Sequence, residues 1–483
     1  MKDKKIYRYL TSLVLVAAVF LQFSAGCRIK ADFVPNVDNI YSEGVYMVNM
    51  DTDIVIYAKN EHQRYYPASI TKIMTAIVVM EFCPDLNATV RVGTDSTNEF
   101  WMGNPNKEDV SNAAFEAGQK NLTYKDCLYA LMVVSACEAA NVLALNLCGT
   151  IEDFVALMNK KASDIGCLDT HFSDAHGLWE AENYSTPFDM YLISRYAYDH
   201  VPGFMEICDT ASYFFPPNSN NPEGYTLYTT NQLMRTSSDF YLEYVHGIKT
   251  GSIDYYYTKN ENGEYEKHPG GRCLVTTAQK DGYTYMLVTM QAPYYDSEGK
   301  SYNYAAKDHY NLYEWAYKSF VYQTVVSKDQ VFSEVSVEQG ENDRLQLIAM
   351  DDYTTIVPKQ LAEEGDPSGS NTESSPVQKK VVPIYDEIIA PVAKGEVLGK
   401  LEVVYQGETI RTLDLVAAKS VERSQIAYLA DKAKSLTETS WFAPLLLLLV
   451  LCILADIVLM ALRRRRLIIE ARRNERKHRR TNY

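Results

Sequence analysis

The sequence predicts an α+β fold, and three observations carry that expectation. Strand-like stretches stand near the start, at Tyr46–Tyr57, and return after Tyr244. Between them lies a long block rich in Leu, Met and Ala with helical spacing. The two strongest later strands are joined by Gln279-Lys280-Asp281-Gly282, a short polar turn suited to a hairpin. Strands, then helices, then strands, then a helix point to an antiparallel sheet flanked by helices. After Val321 the texture changes to short alternating strands, a small all-β domain. One apolar run near the C-terminus then reads as a transmembrane helix.

Taken in order, residues 1–26 have the three parts of a secretory signal. Lys2, Lys4, Lys5 and Arg8 supply positive charge, Leu10–Phe23 is apolar, and Ser24-Ala25-Gly26 supplies small residues for cleavage. Cys27 follows, so Ala25-Gly26-Cys27 half-resembles a lipoprotein cleavage site. Tyr46–Met50 and Ile54–Tyr57 read as strands joined by the polar turn Asp51–Asp53. Ser69–Phe82 is the first strong helix, and Tyr124–Leu147 holds one or two buried helices. Ile151–Ile165 is amphipathic, apolar at Phe154, Val155, Leu157, Met158 and Ala162, with Gly166 as its C-terminal cap. Asp189–Tyr198 is a further short helix. Tyr244–Ile248, Arg272–Ala278 and Tyr283–Met290 read as strands, and Asp308–Phe320 as a helix carrying Leu312, Trp315 and Phe320.

The first domain is therefore placed at 32–320 and a β-rich domain at 321–436, with strands at Val331–Val337, Leu345–Met350, Val381–Ile384 and Leu401–Tyr405. Within it, 361–378 is rich in Pro, Ser, Gly and Glu and reads as a disordered insertion. Trp441–Leu462 is apolar apart from Asp456 and long enough to cross a bilayer. Arg463–Arg466 follow, so the positive-inside rule predicts that the tail, 463–483, is cytoplasmic and the rest lies outside the membrane.

Charge and cysteine usage exclude several functions. The formal net charge is −15; the first eight residues carry +3 and the last 21 carry +8, which leaves −26 for the body. An acidic body with basic ends disfavours nucleic acid and suits a membrane protein. The nine cysteines include no Cys-x-x-Cys pair, and most sit among apolar neighbours, as small buried hydrophobes do. The eight histidines lack the spacing of a zinc peptidase, so no metal is expected.

The chemistry gathers around Pro67-Ala68-Ser69-Ile70-Thr71-Lys72. On a helix, residues three apart share a face, which puts the Ser69 hydroxyl beside the Lys72 amine. A desolvated amine is a base for a serine nucleophile. A second Ser-x-x-Lys, Ser297 to Lys300, sits among Asp296, Gly299 and Tyr302 and reads as a loop. Three other stretches matter. Ser135 follows the apolar run Leu131–Val134. Lys249-Thr250-Gly251-Ser252 ends a strand, with Lys249 as a fixed positive charge, Thr250 as a donor and Gly251 admitting a substrate backbone. Asp174-Ala175-His176-Gly177-Leu178 is the third.

In this order these stretches resemble the low-molecular-mass penicillin-binding proteins, the serine D-alanyl-D-alanine carboxypeptidases of bacterial cell walls. The resemblance spans about Val45–Phe320. It includes Met158-Asn159, Lys161-Ala162, Thr170-His171-Phe172, His176-Gly177-Leu178, Tyr184-Ser185-Thr186, Asp189-Met190 and Gly247–Gly251. Ala390-Pro391-Val392, Lys394-Gly395, Gly399 and Leu415-Val416-Ala417 resemble that family's C-terminal domain. It implies a penicillin-binding, β-lactamase-like transpeptidase domain and removal of the terminal D-Ala from peptidoglycan stem peptides through an acyl-enzyme.

In that scheme Ser69 is the nucleophile, Lys72 the general base and Ser135 the proton relay to the leaving nitrogen. The N–H groups of Ser69 and Ser252 hold the oxyanion, and Lys249 and Thr250 bind the substrate carboxylate. β-Lactams act as inhibitors, no cofactor is needed, and the C-terminal helix ties the enzyme to the membrane. Two positions depart from the pattern. Cys137 stands where the second motif, Ser-x-Asn, has its amide, with Asn141 one turn further along. Ala305 stands where an arginine is expected, with Lys307 two places on. Cys137 motivates an alternative, a catalytically weak relative that binds penicillin or wall peptides. A β-lactamase is disfavoured by the added β domain and the C-terminal anchor.

Overall fold

In the computed structural model, which describes residues 35, 37, 39–97, 106, 110–219, 221–359, 377–405 and 408–480, an antiparallel five-stranded sheet carries the first unit. Its strands are β1 (Gly44–Asn49), β2 (Ile54–Lys59), β5 (Val245–Lys259), β6 (Tyr265–Lys280) and β7 (Tyr283–Ala292), in the order β2-β1-β7-β6-β5. A separate hairpin is formed by β3 (Ser212–Phe215) and β4 (Tyr225–Tyr228). The expected hairpin turn joins β6 to β7, with Asp281 and Gly282 both at positive φ, as a two-residue turn of primed type requires.

One sheet face meets a helical layer: α1 (Lys72–Phe82), α2 (Tyr124–Val133), α3 (Cys137–Cys148), α4 (Ile151–Ile165) and α5 (Pro187–His200). Val48, Val275, Met286, Val288 and Met290 from the strands join Ile73, Ile77, Leu128, Leu143 and Phe154 from the helices in one core. The caps follow from sequence. Thr123 and Asp126 form a reciprocal capping box on α2, Thr150 caps α4, and Thr186 caps α5 with Pro187 in its first turn. Gly166 ends α4 in the left-handed region, as expected.

The opposite face is covered by α6 (Tyr304–Ser319), capped by Asn303. His309 pins it down: its ring nitrogens lie 2.8 Å from Thr276 Oγ1 on β6 and 3.0 Å from Thr289 Oγ1 on β7. Tyr313 adds a bond to the Thr276 carbonyl. Asp308 accepts from the backbone N–H groups of Tyr41 and Ser42 and from the Ser42 hydroxyl, fixing the approach to β1.

Two expectations need correction, on Ser69 and on the Lys-Thr-Gly strand. Ser69 lies in a 3₁₀ turn, Ala68–Thr71, and the α-helix starts at Lys72. Of the one or two helices expected over Tyr124–Leu147 there are two, as allowed, with the break at Val134–Ala136, where Ser135 adopts φ +67°. The Lys-Thr-Gly stretch does not end its strand: β5 runs on to Lys259, because Tyr255, Tyr256, Tyr257 and Thr258 have high β propensity and pair with β6. That extension is half-exposed, so it shows no run of apolar residues.

The second unit holds residues 324–353 and 377 onward; residues 354–359 group with the first. A six-stranded sheet runs in the order Val377–Pro383, Val397–Tyr405, Glu408–Ala417, Arg344–Ala349, Val331–Glu338, Ile388–Ile389. Its core includes Leu345, Leu347, Leu401, Val403 and Leu415. The strand Glu408–Ala417 and the helix Gln425–Glu438 went unanticipated, the latter inside a span read as β-rich. Of the predicted insertion, Val377 and Gln378 begin a strand, and 361–376 lie outside the described residues. The signal at 1–26 and Cys27 lie outside them as well. Among the described residues, the helix Phe442–Arg480 contains one stretch, Phe442–Asn474, long and apolar enough to cross a membrane, and eight cysteines are free.

Burial pushes the His309 imidazole down to about 3, although its backbone contact with Leu274 opposes this. The unfolded chain therefore takes a proton that the fold refuses. The stability this confers is complete above about pH 6.5 and is lost as pH falls from there toward 3. Chemical denaturation of wild type and His309→Gln between pH 7 and pH 4 is expected to show the wild type losing up to about 1.4 kcal/mol per pH unit more than the variant. Parallel pH profiles would contradict it.

Candidate active site

The first unit brings the end of a turn, a helix break and an edge strand to one cavity of about 190 Å³. Ser69, Ser135, Thr250, Gly251 and Ser252 line it, together with Ser111, Thr230, Asn231, Arg272, Asn303 and Ala305. The nucleophile candidate is held at the start of α1 because Pro67 precedes it and the 3₁₀ turn hands directly to the helix. Ala68, just before Ser69, adopts φ +51°, a conformation that alanine rarely takes and that the surrounding packing must enforce.

Lys72 is fully buried. Its Nζ donates to Ser69 Oγ at 2.9 Å, to the His176 carbonyl at 2.5 Å and to Cys137 Sγ at 3.4 Å. The carbonyl contact exists because 174–177 lies against the nucleophile turn. Thr75 Oγ1 donates to the Ala175 carbonyl at 2.6 Å. Gly177 has φ +79°, and a Cβ there would stand 2.0 Å from the Ala68 carbonyl oxygen. Asp174 shapes this loop by accepting from the N–H groups of His176 and Gly177. Burial opposes its charge, but the His176 ring and these N–H groups hold its carboxyl below the usual range.

Ser135 stands in the break between α2 and α3. Its left-handed backbone turns the hydroxyl to the cavity, and Oγ has no hydrogen-bond partner among the described residues. Cys137, at the first turn of α3, is buried; burial pushes its thiol up, while Lys72 pulls the other way. Glu138 steadies the same helix start by accepting from Ala113 N–H at 2.6 Å, which positions the segment carrying Ser111.

β5 is an edge strand of the sheet, and it supplies the opposite wall. Gly251 packs on the nucleophile turn: a Cβ there would lie 3.1 Å from the Pro67 carbonyl oxygen and 3.2 Å from the Ser69 nitrogen. Lys249 is buried behind Thr250, and its Nζ donates to the Thr250 carbonyl at 2.9 Å. Burial pushes its amine well below the usual lysine range, and the charge of Lys72 acts in the same direction. The Thr250 and Thr230 hydroxyls are 2.5 Å apart.

The sequence-derived residues thus divide. Ser69, Ser135, Thr250, Gly251 and Ser252 line the cavity, while Lys72, Cys137 and Lys249 lie behind its wall. His176 enters through its backbone carbonyl, its ring being buried beside Asp174. Asn141 is buried in α3 and is not a cavity wall. Sequence reasoning missed Ser111, Thr230, Asn231, Arg272 and Asn303. Only strand register, Ser252 facing Arg272, could have revealed the arginine. The second Ser-x-x-Lys is a loop, closed by Asp296 N–H on the Lys300 carbonyl.

A family model described as D-alanyl-D-alanine carboxypeptidase matches residues 31–294, and one described as the penicillin-binding protein 5 C-terminal domain matches 320–423. The D-alanyl-D-alanine carboxypeptidase DacF of Bacillus subtilis is 26% identical over 420 residues, covering 86% of this chain and 95% of the relative. Penicillin-binding protein 5 from Haemophilus influenzae aligns with a TM-score of 0.54 at 22% identity, over 80% of this chain and 99% of that one. The D-alanyl-D-alanine carboxypeptidase DacD from Francisella tularensis aligns at 0.58 and 19%, over 82% and 97%. These structural likenesses show the fold.

Gly251→Ala is expected to fold with a modestly lowered melting temperature, because the backbone of the turn must give by a few tenths of an ångström. The same shift moves Ser69, so acylation by a β-lactam should slow by about 10- to 100-fold. Stopped-flow or mass-spectrometric acylation rates check this; an unchanged rate refutes the packing role assigned to Gly251.

Proposed function

The chain belongs to the D-alanyl-D-alanine carboxypeptidase family, and from that premise we propose that it removes the terminal D-alanine from peptidoglycan stem peptides through an acyl-enzyme on Ser69. The observation that carries this reading is the buried Lys72 amine, 2.9 Å from the Ser69 hydroxyl, with no carboxylate among the partners its nitrogen binds in the described residues. Lys72 takes the Ser69 proton as the hydroxyl attacks the carbonyl between the two D-alanines. The tetrahedral oxyanion forms against the backbone N–H groups of Ser69 and Ser252. Ser135, whose hydroxyl has no competing partner among the described residues, passes the proton to the departing D-alanine nitrogen. Lys249 and Thr250 recognise the terminal carboxylate. Water then attacks the acyl-serine, with Lys72 again as base, and restores the enzyme.

A β-lactam presents a strained amide in the same cavity, and ring opening leaves Ser69 acylated. Cys137 serves by its contact with Lys72 rather than by touching substrate, since it is buried and lies off the cavity wall. The domain reading follows: a signal at 1–26, the catalytic part at 32–320, a β-rich part at 321–436, a membrane span at 441–462 and a basic tail at 463–483. The apolar helix suits an anchor in the membrane. With Arg463–Arg466 on the cytoplasmic side, the cavity works outside the membrane, where the peptidoglycan is.

The test uses the detergent-solubilised full chain. Incubated with penicillin, the wild type is expected to gain the mass of one drug molecule and Ser69→Ala none. With a peptide ending in D-Ala-D-Ala, the wild type should release D-alanine repeatedly and Ser69→Ala should not. Adduct formation without D-alanine release would reduce the protein to a penicillin-binding relative, and drug consumed without an adduct would make it a β-lactamase.

A further inference from the structure

We propose that Arg272, on β6, supplies the guanidinium that grips the carboxylate of the departing D-alanine. This rests on the carboxypeptidase reading and adds to it a substrate-binding residue. Arg272 lines the cavity with Ser69, Thr250, Asn303 and Ala305. It is the register partner of Ser252, so it sits directly across the ladder from one of the residues proposed to hold the oxyanion. A leaving-group carboxylate lies within a few bonds of the reacting carbonyl, and a charge anchored beside Ser252 is at the right range for it.

The side chain is oriented but not neutralised. Its guanidinium carbon stacks 3.7 Å from the centre of the Tyr294 ring, and Nη2 donates to Ser301 Oγ at 3.0 Å. Nε is buried without a hydrogen-bond partner, and no carboxylate pairs with Arg272 among the described residues. An always-charged group braced on two sides and lacking a counter-ion is complementary to a planar carboxylate. Neither lysine in this corner lines the cavity, so Arg272 adds a contact beside the one that Lys249 makes through Thr250. Lys249 is buried and donates to the Thr250 carbonyl. Lys307 stands over the Tyr41 ring, 4.9 Å from its centre, and is not a cavity wall. Ser301, which braces Arg272, lies four residues before Ala305, so the guanidinium reaches from β6 the corner where Ala305 offers only a methyl group.

The experiment measures kcat and KM of the full chain for a peptide ending in D-Ala-D-Ala and for the same peptide ending in D-alaninamide. The wild type should prefer the acid. Arg272→Gln should lose about 10- to 100-fold in kcat/KM on the acid, mainly through KM, and little on the amide, so that the preference collapses. Arg272→Lys, which keeps the charge, should retain part of the preference and covers the case in which the glutamine variant fails to fold. An acid-to-amide ratio unchanged in the variants, or an equal fall on both substrates, overturns the role of Arg272 and leaves the carboxypeptidase reading standing. A wild type that releases no D-alanine overturns that reading, and this assignment with it.

Discussion

A lysine amine with no access to water governs this molecule. Burying a lone ammonium is costly by several kcal/mol, and the usual remedy is a carboxylate. Lys72 has instead a serine hydroxyl, a backbone carbonyl and a thiol. Each comes from a different piece of chain, so three segments must converge on one nitrogen. The turn at Ala68–Thr71 brings Ser69, the start of α3 brings Cys137, and the 174–177 loop brings the His176 carbonyl. The left-handed backbone at Ala68 and Ser135 falls at these junctions. It marks where the chain is bent against its own preference to satisfy a functional contact.

The sheet makes that convergence durable. β5 is an edge strand, and its exposed side is where the nucleophile turn packs and the cavity opens. Gly251 sets how closely strand and turn approach: a Cβ there would press on the Pro67 carbonyl oxygen and the Ser69 nitrogen, and the turn would have to give by tenths of an ångström. Behind the strand, the sheet is held flat against α6 by His309 and Tyr313 bonding to threonines of β6 and β7. Thr276 is bonded twice, its hydroxyl by both His309 and Tyr313 and its carbonyl by Tyr313, so these contacts tie β6 and β7 to one helix behind the cavity.

Much of this was legible beforehand because it is local. Apolar spacing gave α4 and its glycine cap, and Asp281-Gly282 gave the hairpin. Ser69 and Lys72 adjoin through three residues of turn, even though the turn is 3₁₀ and not α. What the sequence left hidden depends on partners far along the chain. Nothing local tells that β5 continues past Gly251, because its tyrosines are half-exposed and their pairing with β6 decides the matter. Nothing local tells that His176 contributes a carbonyl and hides its ring, since Asp174 and the approach of Gly177 to Ala68 fix that orientation. Arg272 was invisible for the same reason: its meaning comes from facing Ser252 across a ladder.

Cys137 shows how a departure from a familiar motif is absorbed. A side-chain amide can donate and accept at once, whereas a neutral thiol is a weak partner in either sense. If this position addressed the substrate, its replacement would leave a hole in recognition. The geometry assigns it elsewhere: Sγ is buried, faces the Lys72 nitrogen and is not a wall of the cavity. The side-chain amides on that wall belong to Asn231, Gln232 and Asn303, which sit on other segments. A thiol is thus tolerable where it stands, because the position packs beside the Lys72 nitrogen and accepts one of its hydrogen bonds, while the polar groups lining the cavity are distributed over the strands and loops around it.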